Sequence, residues 1–347
     1  MTAFVEVGLF RPRRWIVPSA DFSLLGAAIT TFPGLGRRAA IDRSILRGEL
    51  GSSRARGILV RPLTPDADAV LQRGIAEAPA TRWEGLVGTQ RLSAGCPKIV
   101  AALLDAEGVP ALFLKVVLGA EPARLCGLEG EALAALAPTT LSHSVPTLVS
   151  MSLGETFGVL VTEAVPGTQL QASAMPTAAV VELAAEIGTF RASHETVSEF
   201  AARAAPRAAR GDGVGLANVF AAAAAGDGTA ATLPLRFAHG DFVPWNMRAH
   251  GSSVVAVDWE LCADRPPLWD ICHFLVQPVA MGFVAPRQRP WPRVEAALRA
   301  AAPAAGVSPE DAADLGRLYL AYSLVDGVGT SKRAQAVRLG LFEASRW

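Results

Sequence analysis

The hydrophobic positions of this chain fall into short blocks with two different periods. Ala111-Leu112-Phe113-Leu114-Lys115-Val116-Val117 is a strand-like apolar run holding one lysine. Ile99 to Leu104 before it and Gly158 to Val165 after it read the same way. Val254-Val255-Ala256-Val257 is apolar and mostly β-branched, which predicts a short buried strand. Trp15-Ile16-Val17 and Ile58-Leu59-Val60 predict two more strands near the N-terminus.

Helical spacing appears elsewhere. From Thr177 to His194, residues Val180, Val181, Leu183, Ala184, Ile187 and Phe190 fall roughly on one face, predicting a helix that His194 ends. Leu128 to Leu136 predicts another, with Leu133 and Leu136 on one side. Residues 217–232 are rich in Ala, Gly and Thr and predict a helix running into a linker. Ser308-Pro309-Glu310-Asp311 marks a helix start: Ser caps, Pro suits the first turn, and the acids favour the N-terminus. Beyond it, Leu315, Leu318, Tyr319 and Tyr322 face inward. Trp269, His273, Phe274 and Trp291 read as core.

The chemistry sits between the predicted elements. His239-Gly240-Asp241-Phe242-Val243-Pro244-Trp245-Asn246 reads as a loop, punctuated by Gly240 and Pro244. It carries a carboxylate, Asp241, and an amide five positions later, Asn246. The strand at Val254 ends in Val257-Asp258-Trp259-Glu260, adding a second carboxylate. A loop and a strand end can hold three oxygen-bearing side chains in one place. Mg²⁺ takes oxygen ligands, usually one or two carboxylates plus substrate phosphates. Phosphoryl transfer requires positioning and charge neutralisation more than covalent chemistry. Asp258 and Asn246 supply oxygens of the right kind, leaving Asp241 to orient an acceptor hydroxyl and take its proton. The spacing Asp-x-x-x-x-Asn matches the protein-kinase catalytic loop, with Gly240 where protein kinases have Arg. A lone His-Gly-Asp is as readily a surface turn, so specificity comes from the joint pattern.

His-Gly-Asp-x-x-x-x-Asn followed by Val-Asp-Trp-Glu resembles the aminoglycoside phosphotransferase and choline kinase group of small-molecule kinases. The resemblance implies an α+β, bilobal protein-kinase-like fold, with a small antiparallel-sheet lobe and a larger, mostly helical lobe. It implies Mg²⁺ and ATP, or GTP, with phosphorylation of a small-molecule hydroxyl. It implies Asp241 as base, Asn246 and Asp258 as metal ligands, and His239 as a structural pin for the loop. Asp270, in Leu268-Trp269-Asp270-Ile271-Cys272, resembles the family's second structural Asp and would hydrogen-bond the loop backbone.

Such a site needs a lysine on an upstream strand. Only Lys98, Lys115 and Lys332 occur in the chain, and Lys115 lies inside the apolar run. A lysine there is costly unless paired, and a phosphate-binding role gives it a reason. The family's Glu-x-x-x-Leu-x-x-Leu run aligns best with Glu129, Leu133 and Leu136 as the partner helix, with Glu131 the runner-up. By position alone, the loop through Ser93 and Gly95 would cover the phosphates, though an ordinary hairpin turn fits as well. The backbone from Glu163 to Val165 resembles the inter-lobe hinge that meets the base. The lobes then run over residues 81–167 and 168–347. Residues 1–80 form an N-terminal extension without a kinase pattern.

Composition narrows the partners. The 347 residues are 51 % hydrophobic and 18 % charged, with formal net charge zero. That argues against nucleic-acid binding, which needs a basic excess or stripe. The basic clusters Arg11 to Arg14 and Arg203 to Arg210 are short and read as solvated faces. No apolar run is long enough to span a membrane, and Asp21 and prolines interrupt the stretch after Arg14, so no signal peptide is read. Four cysteines show no metal spacing and suit a reducing cytoplasm. The acceptor class left open is a sugar, amino sugar or amino alcohol. The competing function is a catalytically silent kinase-like binding or scaffold protein, and the completeness of Lys115, Glu129, Asp241, Asn246 and Asp258 favours turnover. Oligomeric state is not legible.

Overall fold

The computed structural model describes residues 4–8, 14–18, 31, 59–79, 83–93, 96–196, 199–200, 232–326 and 332–345. Arg11 to Arg13, Gly95, the basic cluster at 203–210 and all but Thr232 of the helix and linker expected at 217–232 lie outside the described residues. The chain divides into two units, Met1–Pro166 and Gly167–Trp347. It is an α+β, kinase-like fold, with an antiparallel-sheet unit followed by a largely helical one.

Eight strands form the sheet of the first unit. They are β1 (Phe4–Gly8), β2 (Arg14–Pro18), β3 (Leu59–Pro62), β4 (Gly85–Ser93), β5 (Cys96–Leu104), β6 (Pro110–Leu118), β7 (Leu148–Leu153) and β8 (Phe157–Glu163). Their order is β3-β1-β2-β4-β5-β6-β8-β7, and every pairing is antiparallel. The segment expected as an extension thus supplies three strands of this sheet, β2 pairing directly with β4.

Alternation along β6 gives the sheet two different faces. Leu112, Leu114 and Val116 join Leu71, Leu86, Ile99, Val159 and Val161 in one apolar core. Helix α1 (Pro65–Glu77), N-capped by Thr64, covers that face. Its Gly74 packs so closely that a Cβ would lie 2.5 Å from a Val116 methyl. Lys115 points to the opposite face. There α2 (Ala120–Leu136) packs on β8, burying Cys126, Glu129, Gly130, Leu133 and Leu136 at helical spacing.

The second unit carries two small antiparallel sheets and five helices among the described residues. One sheet joins β10 (Ala192–Thr196), β11 (Thr232–Ala238) and β14 (Ala263–Arg265). The other joins β9 (Thr168–Gln169), β12 (Met247–His250) and β13 (Ser253–Ala256). The helices are α3 (Ala178–Thr189), α4 (Trp269–Ala280), α5 (Trp291–Ala301), α6 (Asp311–Asp326) and α7 (Lys332–Ala344). The expected helix through His194 stops at Thr189. Residues 192–196 instead pair with β11, His194 opposite Pro234, because long-range pairing overrides the local helical pattern. His194 is therefore a strand residue. Ser308 Oγ accepts the Asp311 N–H at 3.1 Å in the turn that leads into α6. Tyr319 and Tyr322 are buried there, while Leu315 and Leu318 are only half-buried. No helix among the described residues is long and apolar enough to cross a membrane.

Helix α4 contains Pro278, which has no N–H to offer the Phe274 carbonyl one turn earlier. Arg289, only 2 % exposed, fills the gap. Its Nη1 donates to the Phe274 and Leu275 carbonyls at 3.4 and 3.1 Å, and its Nη2 donates to the Ala174 carbonyl. Burial lowers its pKa to about 10, which still leaves it charged at neutral pH. Arg289→Met is expected to lower unfolding free energy by about 2–4 kcal/mol, because charged-donor bonds vanish and a buried carbonyl loses its partner. Urea denaturation measures this, and a loss under about 0.5 kcal/mol, the range of ordinary surface substitutions, would contradict the role.

Candidate active site

The loop at 239–246 is held from below by one carboxylate. Asp270 occupies the first turn of α4 and is 5 % exposed. Its Oδ2 accepts the His239 N–H at 2.9 Å, and its Oδ1 accepts the Gly240 N–H at 3.1 Å. Burial pushes its carboxyl pKa up, opposed by His239 and by the two N–H donors. Gly240 sits at φ +83°, and a Cβ there would lie 2.0 Å from the Leu261 carbonyl oxygen. Only glycine fits both constraints.

His239 is fully buried and ties the loop to the strand beyond it. Its Nε2 lies 3.1 Å from the Val257 carbonyl, and its Nδ1 accepts the Asp241 N–H at 3.3 Å. Those partners require the proton on Nε2 and a neutral ring. Burial lowers its pKa, with Asp270, Asp241 and Asp258 pulling the other way. The ring also lies 4.5 Å from that of Trp259, whose Nε1–H donates to the Ala256 carbonyl at 2.9 Å.

Asn246 closes a short 3₁₀ turn over Pro244–Asn246. Its Nδ2 donates to the Asp241 carbonyl and to Asp241 Oδ2, both at 3.0 Å. The amide thus turns its nitrogen to Asp241 and keeps Oδ1 for another partner. The Asn246 carbonyl accepts the Val257 N–H at 2.9 Å, and Met247 pairs with Ala256. Backbone pairing therefore sets Asn246 beside the chain that leads into Asp258. Asp258 adopts φ +71°, a left-handed conformation that Asp tolerates better than most residues. The Asn246 amide oxygen and the half-buried Asp258 carboxylate, carried on adjoining segments, are ligand types that a hard divalent cation takes.

In the first unit, Lys115 and Glu129 are both buried, and Lys115 Nζ donates to Glu129 Oε2. Glu131 points to solvent, two positions round the helix. Ser93 ends β4 opposite Cys96 at the tip of the β4–β5 hairpin. Gly95 between them lies outside the described residues. Glu163 ends β8, its N–H donating to the Thr147 carbonyl at 2.9 Å, and Val165 follows, half-buried.

Of two side chains read as core from the sequence, His273 reaches the Asp241 carboxylate and Tyr319 reaches His273. His273 Nε2 lies 3.0 Å from Asp241 Oδ1, and His273 Nδ1 lies 2.9 Å from the Tyr319 hydroxyl. The signal in the sequence is spacing, since His273 stands three residues after Asp270 on one helix face.

The profile of the family described as "Phosphotransferase enzyme family" matches residues 100–306, about three fifths of the chain. The chain belongs to the phosphotransferase enzyme family. One solved structure agrees on the fold, and others are similar to this chain. The GDP and kanamycin complex of APH(2")-IIia is 15 % identical, with a TM-score of 0.51, covering 82 % of this chain and 99 % of its own. Aminoglycoside phosphotransferase APH(3'')-Id from Streptomyces rimosus is 16 % identical at TM-score 0.49, covering 74 % and 96 %. A choline/ethanolamine kinase family protein from Mesorhizobium loti is 17 % identical at TM-score 0.45, covering 81 % and 94 %. No curated protein matches this phosphotransferase significantly.

Burial of a neutral His239 is expected to make the folded chain less stable in acid. Below its ordinary value of 6.5 the unfolded chain takes up a proton that the folded chain refuses. Its contribution is complete above that pH and falls by up to about 1.4 kcal/mol per pH unit below it. Asp270, with its raised pKa, acts in the opposite sense above its ordinary 3.8, so the comparison with His239→Asn isolates the histidine. Unfolding free energies from pH 7.5 to 5.0 should fall more steeply for the wild type than for His239→Asn. Parallel curves would contradict the assignment.

Proposed function

We propose that this phosphotransferase moves the γ-phosphate of ATP or GTP to a hydroxyl of a small molecule, with Asp241 as the base. The observation that carries this is the posture of Asp241. A donor engages each of its carboxylate oxygens, and the amide that supplies one of them keeps its own oxygen beside the chain leading to Asp258. The side chain remains 28 % exposed, open to an incoming acceptor.

A bound Mg²⁺ would supply neutralisation of phosphate charge. Asn246 Oδ1 and the Asp258 carboxylate would hold it. Lys115 would place its ammonium against nucleotide phosphate, with Glu129 keeping that ammonium extended and charged. Ser93 and Gly95 would lend backbone N–H groups to the phosphates, and the Glu163–Val165 backbone would meet the base. Asp241 would fix the acceptor oxygen and take its proton as the bond to phosphorus forms. Asp270 and His239 act one step removed, by holding the loop.

The acceptor class we favour is a sugar, amino sugar or amino alcohol. Polycationic acceptors require an acidic surround, and the charges after Asp258, namely Glu260, Asp264 and Asp270 against Arg265, make no strong one. Consumption of nucleoside triphosphate and four cysteines without metal spacing support a cytoplasmic setting.

A thermal-shift screen with Mg-ATP and Mg-GTP, followed by a hydroxyl-acceptor panel read as phosphate transfer, tests the proposal. Stabilisation by at least one nucleotide is expected, and none by either, with no transfer, would end it. Asp241→Ala should cut transfer by about 10²–10⁴-fold while nucleotide affinity stays within about twofold. Asp258→Ala should weaken Mg-nucleotide binding by at least about tenfold, the loss seen when even an outer-shell partner is removed. Unchanged affinity by calorimetry would contradict its role as a ligand.

A further inference from the structure

Helix α4 does more than hold the loop through Asp270. One turn further along it, the His273 ring spans two partners, Asp241 Oδ1 at 3.0 Å and the Tyr319 hydroxyl at 2.9 Å. An ionised carboxylate can only accept, so His273 Nε2 must carry a proton. In the neutral ring, Nδ1 then holds a lone pair, and the Tyr319 O–H is the donor that fills it. The resulting polarity is Tyr319 O–H to Nδ1, then Nε2–H to Asp241.

Tyr319 is fixed for this task. It is 1 % exposed on α6 and packs edge-on against Trp269, ring centroids 4.9 Å apart. Its ring also stands at 84° to that of His273. Trp269 directly precedes Asp270, so one turn of α4 sets the loop, the histidine and the tyrosine together.

We propose that His273, oriented by Tyr319, is a positioning residue that fixes the Asp241 carboxylate for proton abstraction. The inference rests on Asp241 being the base. The physical need is plain. Asp241 has a short side chain, more than a quarter exposed, that is free to rotate unless both oxygens are engaged. Asn246 engages Oδ2 from the loop itself, and His273 engages Oδ1 from a separate helix. Two anchors on different elements define the carboxylate plane, whereas one leaves it free to swing. A displacement of about 1 Å in a reacting group can cost about 10²-fold in rate. His273 touches neither acceptor nor nucleotide in this scheme and takes no proton from the acceptor.

The test compares wild type, Asp241→Ala, His273→Ala, His273→Gln and Tyr319→Phe in the full chain. Turnover is read with Mg-ATP and water or an identified hydroxyl acceptor. His273→Ala should lower kcat by about 10–100-fold with nucleotide KM unchanged. His273→Gln, which can restore one donor, should recover part of that loss. Tyr319→Phe should cost less than His273→Ala, and a chain carrying both His273→Ala and Tyr319→Phe should be no worse than His273→Ala alone. A merely structural role would instead lower thermal stability and raise KM along with the loss of kcat. A readout independent of turnover is the side-chain ¹⁵N spectrum of His273, in which Nε2 should be protonated.

Full kcat in His273→Ala, or an unprotonated Nε2, would overturn the inference. If Asp241→Ala is inactive while His273→Ala is fully active, only this inference fails. If Asp241→Ala keeps wild-type turnover, the proposed base fails first.

Discussion

One buried carboxylate organises the loop from His239 to Asn246. Asp270 accepts two consecutive backbone N–H groups, those of His239 and Gly240, where no regular structure would supply partners. A carboxylate this buried costs several kcal/mol unless its lone pairs are met, and each unmet N–H would add about 1–3 kcal/mol. Each side of the contact therefore requires the other. Gly240 must be glycine because the loop so placed runs against the Leu261 carbonyl. His239 must be neutral and fixed because its ring bridges from that loop to Val257. Asp241 and Asn246 follow within six residues, so their positions inherit the constraint. His273 and Trp269 share the helix that carries the carboxylate, and the same element engages the Asp241 carboxylate from the other side.

The first unit solves a similar problem with a different pair. Alternation on β6 turns Leu112, Leu114 and Val116 into the α1-covered core and leaves Lys115 on the face that α2 covers. An ammonium there is tolerated because Glu129 lies on the inward stripe of α2, between Cys126 and Leu133. A buried ion pair contributes little net stability compared with apolar packing. Its presence in a strand otherwise built of Val, Leu and Phe is more readily explained by phosphate chemistry than by folding.

What the sequence disclosed was local. The run from His239 to Glu260 is contiguous enough that spacing and residue type point to its chemistry, and Asp270 follows closely. Glu129 and Glu131 differ by a 200° turn of helix, and the leucine stripe picks the buried one. His273 escaped because its partner lies 32 residues away and a histidine among apolar neighbours looks like core. Arg289 escaped for the same reason, since nothing in the sequence links it to the carbonyl that Pro278 strands. The N-terminal strands carry too few residues to reveal their partner, and only the β2–β4 pairing places them in the sheet. At His194 the helical stripe misled, because β11, more than 35 residues on, offered an edge to pair with.

The most direct test of the account is where a divalent ion binds. A crystal of this chain with Mn²⁺ in place of Mg²⁺ and a non-hydrolysable triphosphate would locate the ion by its anomalous scattering. The account predicts a peak about 2.0–2.3 Å from both Asn246 Oδ1 and an Asp258 carboxylate oxygen, with Asp241 outside the coordination sphere. An ion held by phosphates alone, or one ligated by Asp241 in place of Asn246, would contradict it.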